Sequence, residues 1–525
     1  MRIRARNFAV GSYNRHRRRD VRDFGQSPPG LGAFALLLVL AAVPPFSTVL
    51  PPLVDYPNHL ARMRLLVEGG NAFYAVRWAA LPNLAEDLIV PPLVPLVPLE
   101  TAGKLFLVMI FALMAGGAVW LNRCATGGWQ LWPLLAFLLL YNRILLWGFL
   151  NYLFGIGVAL VGAAAWLALE GRRWWLRVLA SSLVALACFL SHIAAFGFYA
   201  LVILGVEIVP AWGEFRARQW TMLGRRIRMA APQFVLPAVL FLGGPQDVTG
   251  ETVSYAGVWR KVDLLFSVFD NYNRAFDVTC FVLFLGLFGG LVWTKRLRLD
   301  LRLGCACAIV FAAYLLLPSQ MSGGSGADRR LPTAVFLLLV AAIAPRFPSR
   351  RIAAAIGIAT VALLIVRMAA IEHVWRAADR VYTADLAGID LLPRGARLAV
   401  AQPEGLFHVT RIPEVHLATL AIARRDAFVP TLFAIPGQQP VMLKPAFAAF
   451  AATAQPQLLW AALVTGGAAE RARLPVPLGD FDFVAFTDER PIHVPENSCL
   501  TPFLIQPTLQ IFSVVHEARC ISPGA

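Results

Sequence analysis

The stretch Asp55-Tyr56-Pro57-Asn58-His59, followed by Arg62, sets a carboxylate, an imidazole and a guanidinium within eight residues directly behind a long apolar run. Such groups cost solvation energy at a membrane exit, so they need water, a partner or a ligand. Together they could move a proton, the carboxylate acting as base while the cations hold a negatively charged group. Pro57 suits a first helical turn, which predicts a helix along the membrane surface with Asp55 just ahead of its start. On it Leu60, Met63 and Val67 would share one apolar face, and His59 and Arg62, at i and i+3, another. Asp55, His59 and Arg62 would then converge. The same pattern also suits an ordinary interfacial helix, with Asp55 favoured by the helix dipole and the basic residues reaching to headgroups.

The elements that must position this box are membrane spans. The chain of 525 residues is 58% hydrophobic and 15% charged, and its mean hydropathy of +0.64 is far from that of an ordinary soluble domain. The net charge of +16 does not signify nucleic acid, because the arginines recur in short clusters between apolar runs. The expected fold is a polytopic α-helical membrane protein. Residues 1–30 form a basic cytoplasmic tail, and the run from Leu31 to Leu50, ending in Pro51-Pro52, reads as an uncleaved signal anchor. Further apolar runs at 103–121, 129–147, 149–169, 176–191, 193–209, 230–244, 279–294, 301–317, 332–345 and 352–370 bring the count to about eleven. Several are short, so tilted or broken helices are expected.

Threaded from a cytoplasmic N-terminus, residues 31–370 place five interior basic clusters on one side, around Arg123, Arg172, Arg225, Lys295 and Arg350. The other loops then share the outer face. They include residues 51–102 with the Asp55 box, Asn142 and Arg143, and residues 245–278 with Asp247, Glu251, Asp270 and Arg274. His192, between two apolar segments, would reach the same side. In Gly323-Gly324-Ser325-Gly326-Ala327-Asp328-Arg329-Arg330 the glycines would let backbone N–H groups approach a phosphate. Equally, the stretch reads as a plain connection in which Asp328 pairs with Arg330. His192 reads either as a second catalytic imidazole or as a hydrogen-bonded core residue.

After Ile371 the long apolar runs stop, and residues 371–525 read as an extracytoplasmic α/β domain. Arg397 to Ala401, Phe481 to Thr487 and Ile511 to Val515 have strand character, and Val415 to Arg425 has helical spacing. Arg411, His416 and Arg424 to Asp426 read as a solvated face or domain contact. Of seven cysteines, Cys499 and Cys520 are the two in this segment, and an oxidising compartment would let them pair. Cys305 and Cys307 lie within a span as packing residues.

A first span from a cytoplasmic N-terminus, an acidic residue at the start of the first outer loop, about eleven spans and a C-terminal outer domain resemble the GT-C superfamily of membrane glycosyltransferases. That superfamily includes protein O-mannosyltransferases and the lipid A aminoarabinose transferase. The resemblance implies a polyprenyl-phosphate-linked sugar donor, a glycan, lipid or protein acceptor, and inverting transfer at the outer face of a bacterial cell inner membrane. It gives Asp55 the place of the first-loop acidic residue, as general base or metal holder, with His59 its nearest partner. Arg62, Arg143, Arg274, Arg329 and Arg330 become candidates for the donor phosphate, since the guanidinium fork grips phosphate at two points. Many members set a second carboxylate beside the first, whereas Tyr56 follows Asp55 here. A Mg²⁺ or Mn²⁺ cofactor would therefore need Asp247, Glu251 or Asp270.

No Walker A, dinucleotide, zinc-protease or nucleophile-elbow pattern stands in a suitable context. Two other classes remain open, a transporter or flippase for a lipid-linked glycan and a non-catalytic membrane scaffold. A transporter would favour internal repeats, and none is evident.

Overall fold

The computed structural model describes residues 30–244, 253–321, 324–403, 414–435, 437–453, 455–465, 478–488, 490–493 and 499–516. The chain is mostly helical. Six helices are long and apolar enough to cross a membrane: Leu99–Thr126, Leu150–Ala168, Trp174–Ser191, Ile193–Arg216, Arg274–Trp293 and Arg350–Ile389. Leu31–Ser47 and Leu301–Leu316 are shorter apolar helices, and Ala327–Ala342 is a helix of 16 residues. Small residues bring them close. A Cβ on Gly117 would come within 2.8 Å of Leu160, and one on Gly157 within 2.6 Å of Leu113, so Leu99–Thr126 and Leu150–Ala168 pack nearly backbone to backbone.

Two expectations about the apolar runs change. The run at 129–147 is not one helix but a buried 3₁₀ segment, Trp132–Leu139, and a short helix, Arg143–Trp147. Asn142 divides them, its side chain accepting from the backbone N–H groups of Ile144 and Leu145 at 3.0 Å each. The helix that begins at Arg350 does not end near 370 but runs unbroken to Ile389. Ile371, Trp375, Ala378, Tyr382, Leu386 and Ile389 recur at helical spacing, and all are buried.

Beyond it, a four-stranded sheet has the order Leu398–Ala401, Phe483–Thr487, Leu509–Val514, Leu500–Ile505. The first pair is parallel, with Ala399 opposite Val484, and the other two are antiparallel, with Ile511 opposite Ala485. Asp385, near the end of the long helix, accepts from the Thr508 hydroxyl at the turn before Leu509. A second, two-stranded sheet joins Tyr74–Val76 of the segment after the box to Val441–Leu443, in the register Ala75 opposite Met442. The Tyr74 hydroxyl donates to the Val429 carbonyl at 2.7 Å and accepts from the Val429 N–H at 3.1 Å. The chain around residues 415–443 is thereby clamped onto the segment that carries Asp55.

Candidate functional site

Asp55 stands at the N-cap of the helix Tyr56–Glu68, with Pro57 in the first turn. Its carboxylate does not cap the helix. The backbone around it is held by the Arg143–Trp147 segment, Val54 N–H donating to Leu146 at 2.9 Å and Asp55 N–H to Trp147 at 3.2 Å. Gly148 makes that approach possible: its φ is +88°, and a Cβ there would lie 2.8 Å from the Asp55 Cβ. Burial pushes the Asp55 carboxyl up to about 6, while His59, Arg62 and Arg330, in that order, pull it back down. Its side chain keeps 16% of its surface open.

The group facing Asp55 is His416, whose Nε2 lies 3.6 Å from Oδ1. Asn58 sets the orientation of that ring. Its Oδ1 accepts from the Phe433 N–H at 2.8 Å, so its amide NH₂ serves the Thr431 carbonyl at 3.0 Å and His416 Nδ1 at 3.4 Å. With Nδ1 accepting, the ring proton resides on Nε2 and points toward Asp55. Burial pushes the His416 imidazole down to about 4, with His59 acting in the same direction, which leaves it neutral at pH 7. Of the two readings of His416, a solvated face or a domain contact, the structure shows the contact.

The helix Tyr56–Glu68 is likewise not a surface helix. Tyr56 through Met63 are all buried, whereas Val67, expected on the apolar face, is exposed. His59 and Arg62 turn toward a carboxylate pair that the sequence analysis passed over, Glu86 and Asp87, on the short helix Ala85–Ile89. His59 Nδ1 makes a close contact with Glu86 Oε2. Arg62 Nε donates to Asp87 Oδ1 at 2.7 Å, and its Nη2 stands 3.6 Å from Glu86 Oε2. Burial raises the Asp87 carboxyl, with Arg62 opposing the rise. Asn151 joins this layer to the next helix, accepting from the Glu86 N–H at 2.7 Å and donating to Asn83 at 2.9 Å. Glu86 Oε1, Asp87 Oδ2 and Arg62 Nη1 are buried polar atoms without a hydrogen-bond partner. Glu86 and Asp87 are thus adjacent acidic residues of the same loop as Asp55, and they partner His59 and Arg62.

Arg329 and Arg330 open the helix Ala327–Ala342. Their guanidinium groups lie over Trp147 and Phe149, at 4.8 and 4.7 Å from the ring centroids, on either side of Gly148. Tyr152 donates to the Arg330 carbonyl at 2.7 Å and packs edge-on against His192 at 5.6 Å. His192 itself caps a helix, Nδ1 accepting from the Ala194 N–H at 3.0 Å. Asp55, His59, Arg62, Arg330 and His192 therefore gather at one end of the bundle.

The remaining candidates fall elsewhere. Arg143 pairs closely with Asp270 and stands 3.9 Å from Asp263, and Arg274 reaches Asp263 at 2.5 Å, so these side chains form an ion cluster of their own. Asp328 accepts from Ser319 at 3.0 Å, lies 3.6 Å from Lys261 and acts electrostatically on Arg330. Asp247 and Glu251 lie outside the described residues, as do Arg411 and Cys520. Cys499 is disulfide-bonded, and Cys305 and Cys307 are free thiols in the helix Leu301–Leu316. Among the described residues no group of three or more His, Cys, Asp or Glu side chains is arranged to hold a metal ion. Glu86 is taken up by His59, Asp87 by Arg62 and Asp270 by Arg143.

Comparison with protein-family profiles, with curated proteins and with solved structures finds no match to this chain.

Proposed function

We propose that this protein is an inverting membrane glycosyltransferase of GT-C type, moving a sugar from a polyprenyl-phosphate donor to an acceptor at the outer face of a bacterial inner membrane. In this reading the N-terminus is cytoplasmic, and the sheet after Ile389 belongs to an extracytoplasmic domain. The observation that carries it is the Asp55 carboxylate. It heads a buried helix without capping it, accepts no hydrogen bond among the described residues, and is set by burial to titrate near 6. A base of that strength is ionised at neutral pH and still able to take a proton.

Asp55 removes the proton from the acceptor as the acceptor atom attacks the anomeric carbon on the face opposite the phosphate. The bond from that carbon to the phosphate oxygen breaks, and its electron pair leaves with the phosphate. Arg330, with Arg329 beside it, supplies the positive charge for that leaving group. His416, neutral and oriented by Asn58, is placed to hold the acceptor against Asp55. Among the described residues the donor set around Asp55 does not fit a metal ion, so no step is routed through one.

The test is Asp55→Asn in membranes that contain the lipid-linked donor, with glycan transfer as the readout. Loss of transfer by a correctly inserted variant is expected, and full transfer would overturn the assignment of the base. For the topology, a cysteine introduced at the exposed Arg394 should react with an impermeant reagent added from outside. Labelling from the cytoplasmic side alone would reverse the layout.

A further inference from the structure

The end of the bundle away from Asp55 carries a different kind of surface. The helix Leu150–Ala168 starts beside the Asp55 layer through Asn151 and reaches this second end at Trp166. There Glu207 is enclosed by cations and an indole. Trp166 Nε1 donates to its Oε1 at 2.7 Å, Arg302 Nη2 and Arg177 Nη2 lie at 3.2 and 3.3 Å, and Arg226 closes on Oε2. Arg226 also grips Glu214 at 2.6 Å, and Arg302 grips Glu170 at 3.0 Å. Glu170, Glu207 and Glu214 are therefore taken up by Arg177, Arg226 and Arg302.

Arg172, Arg173, Arg216, Arg218, Arg225 and Arg228 are exposed and form no ion pair among the described residues. They surround the helix Trp220–Ala230, which has no buried residue. Arg226 pins that helix to the bundle and leaves Arg225 and Arg228, at i and i+3, facing away from Glu214. Beside them Trp212, Phe215 and Trp220 form an aromatic run. Trp212 stacks on Phe215 at 5.7 Å, Phe215 meets Trp220 edge-on at 5.5 Å, and both indoles remain more than half exposed. Exposed Trp174 and Trp175 extend the run. Indoles at the ends of apolar helices settle at headgroup depth, and unpaired guanidinium groups at that depth meet phosphate.

We propose that the helix Trp220–Ala230 and the arginines around it bind anionic phospholipid headgroups. The helix lies in the interface, its aromatic neighbours set its depth, and the unpaired guanidiniums select negatively charged lipid. Charge complementarity identifies the occupant: six uncompensated cations bordering apolar, membrane-length helices face a surface that a zwitterionic headgroup does not neutralise. This holds whether or not the protein transfers sugar.

The experiment uses the full chain in detergent, offered equal amounts of phosphatidylglycerol and phosphatidylcholine, with retained lipid counted by native mass spectrometry. Phosphatidylglycerol should be retained preferentially. R225Q/R228Q should lower that preference about fivefold for each arginine removed, because a cation near the surface contributes about that factor. R225K/R228K should keep it, and Arg77→Gln, on the segment joined to the C-terminal sheet, should not change it. Equal retention of the two lipids by the native chain would overturn the proposal, as would an undiminished preference in R216Q/R218Q/R225Q/R228Q. Thermal unfolding of each variant checks that the fold persists, which the exposure of all four side chains favours.

Discussion

His416 Nε2 lies 3.6 Å from Asp55 Oδ1, although the two residues come from opposite ends of the chain. Asn58, three residues beyond Asp55, decides which ring nitrogen carries the proton. The C-terminal segment thus completes the surroundings of a carboxylate that belongs to the first loop. A gap of that length is too wide for a direct hydrogen bond.

Asp55→Asn should stabilise the protein at neutral pH. Burial raises this carboxyl to about 6, so the folded state holds a proton that the unfolded chain releases near 4. The stability contributed by the neutral form is present below about 4 and is lost as pH rises through 6. At pH 7.5 the variant should gain up to about 3 kcal/mol in unfolding measurements, and at pH 4 nothing. An equal gain at both pH values would show that charge burial is not its source.

With Asp55 as the base of the proposed glycosyl transfer, transfer by the native protein should fall on the acid side with a midpoint near 6, as Asp55 takes up its proton. The measurement is kcat/KM against pH in reconstituted membranes. A rate unchanged down to pH 5 would remove Asp55 from the role of base.

Arg62→Met should destabilise the fold by about 3–5 kcal/mol, because it leaves the buried Asp87 carboxyl without its guanidinium partner and removes a second cation from beside Glu86. Adding Asp87→Asn should recover part of the loss. A double-mutant cycle read by chemical unfolding gives the coupling, and strictly additive effects would contradict the pairing.

Gly148→Ala should cost about 1–3 kcal/mol through its left-handed backbone alone. It should also reduce transfer more than it reduces stability, because the new methyl group presses on Asp55 itself. Ala at Gly127, also left-handed but with open space around it, is the control. Equal losses of transfer at the two sites would sink the argument.

The helical nature of this chain was legible in its apolar runs, and the Asp55 box in its residue types. Much of the site was not. Glu86 and Asp87 are adjacent carboxylates in the same loop as Asp55, but no periodicity connects them to His59 and Arg62, and only the fold of that loop does. His416 resembles any polar residue in a turn ahead of a short helix, and the pairing of Tyr74–Val76 with Val441–Leu443, which joins its segment to that of Asp55, has no signature in the sequence. The continuation of the last long helix was readable in principle. Its hydrophobic run stops near 370, but the spacing of Trp375, Ala378, Tyr382 and Leu386 carries on. Run length signals a span, while spacing signals a helix, and the two diverge there.

That helix has a mechanical consequence. Its 40 residues make a rod of about 60 Å, twice the thickness of a hydrocarbon core. Once one half is sunk in a bilayer, the other half stands clear of it as a rigid mast. Asp385 and Thr508 lash the sheet to the top of that mast, with no slack linker between. Any tilt of the rod in the bilayer is carried to the sheet through that contact.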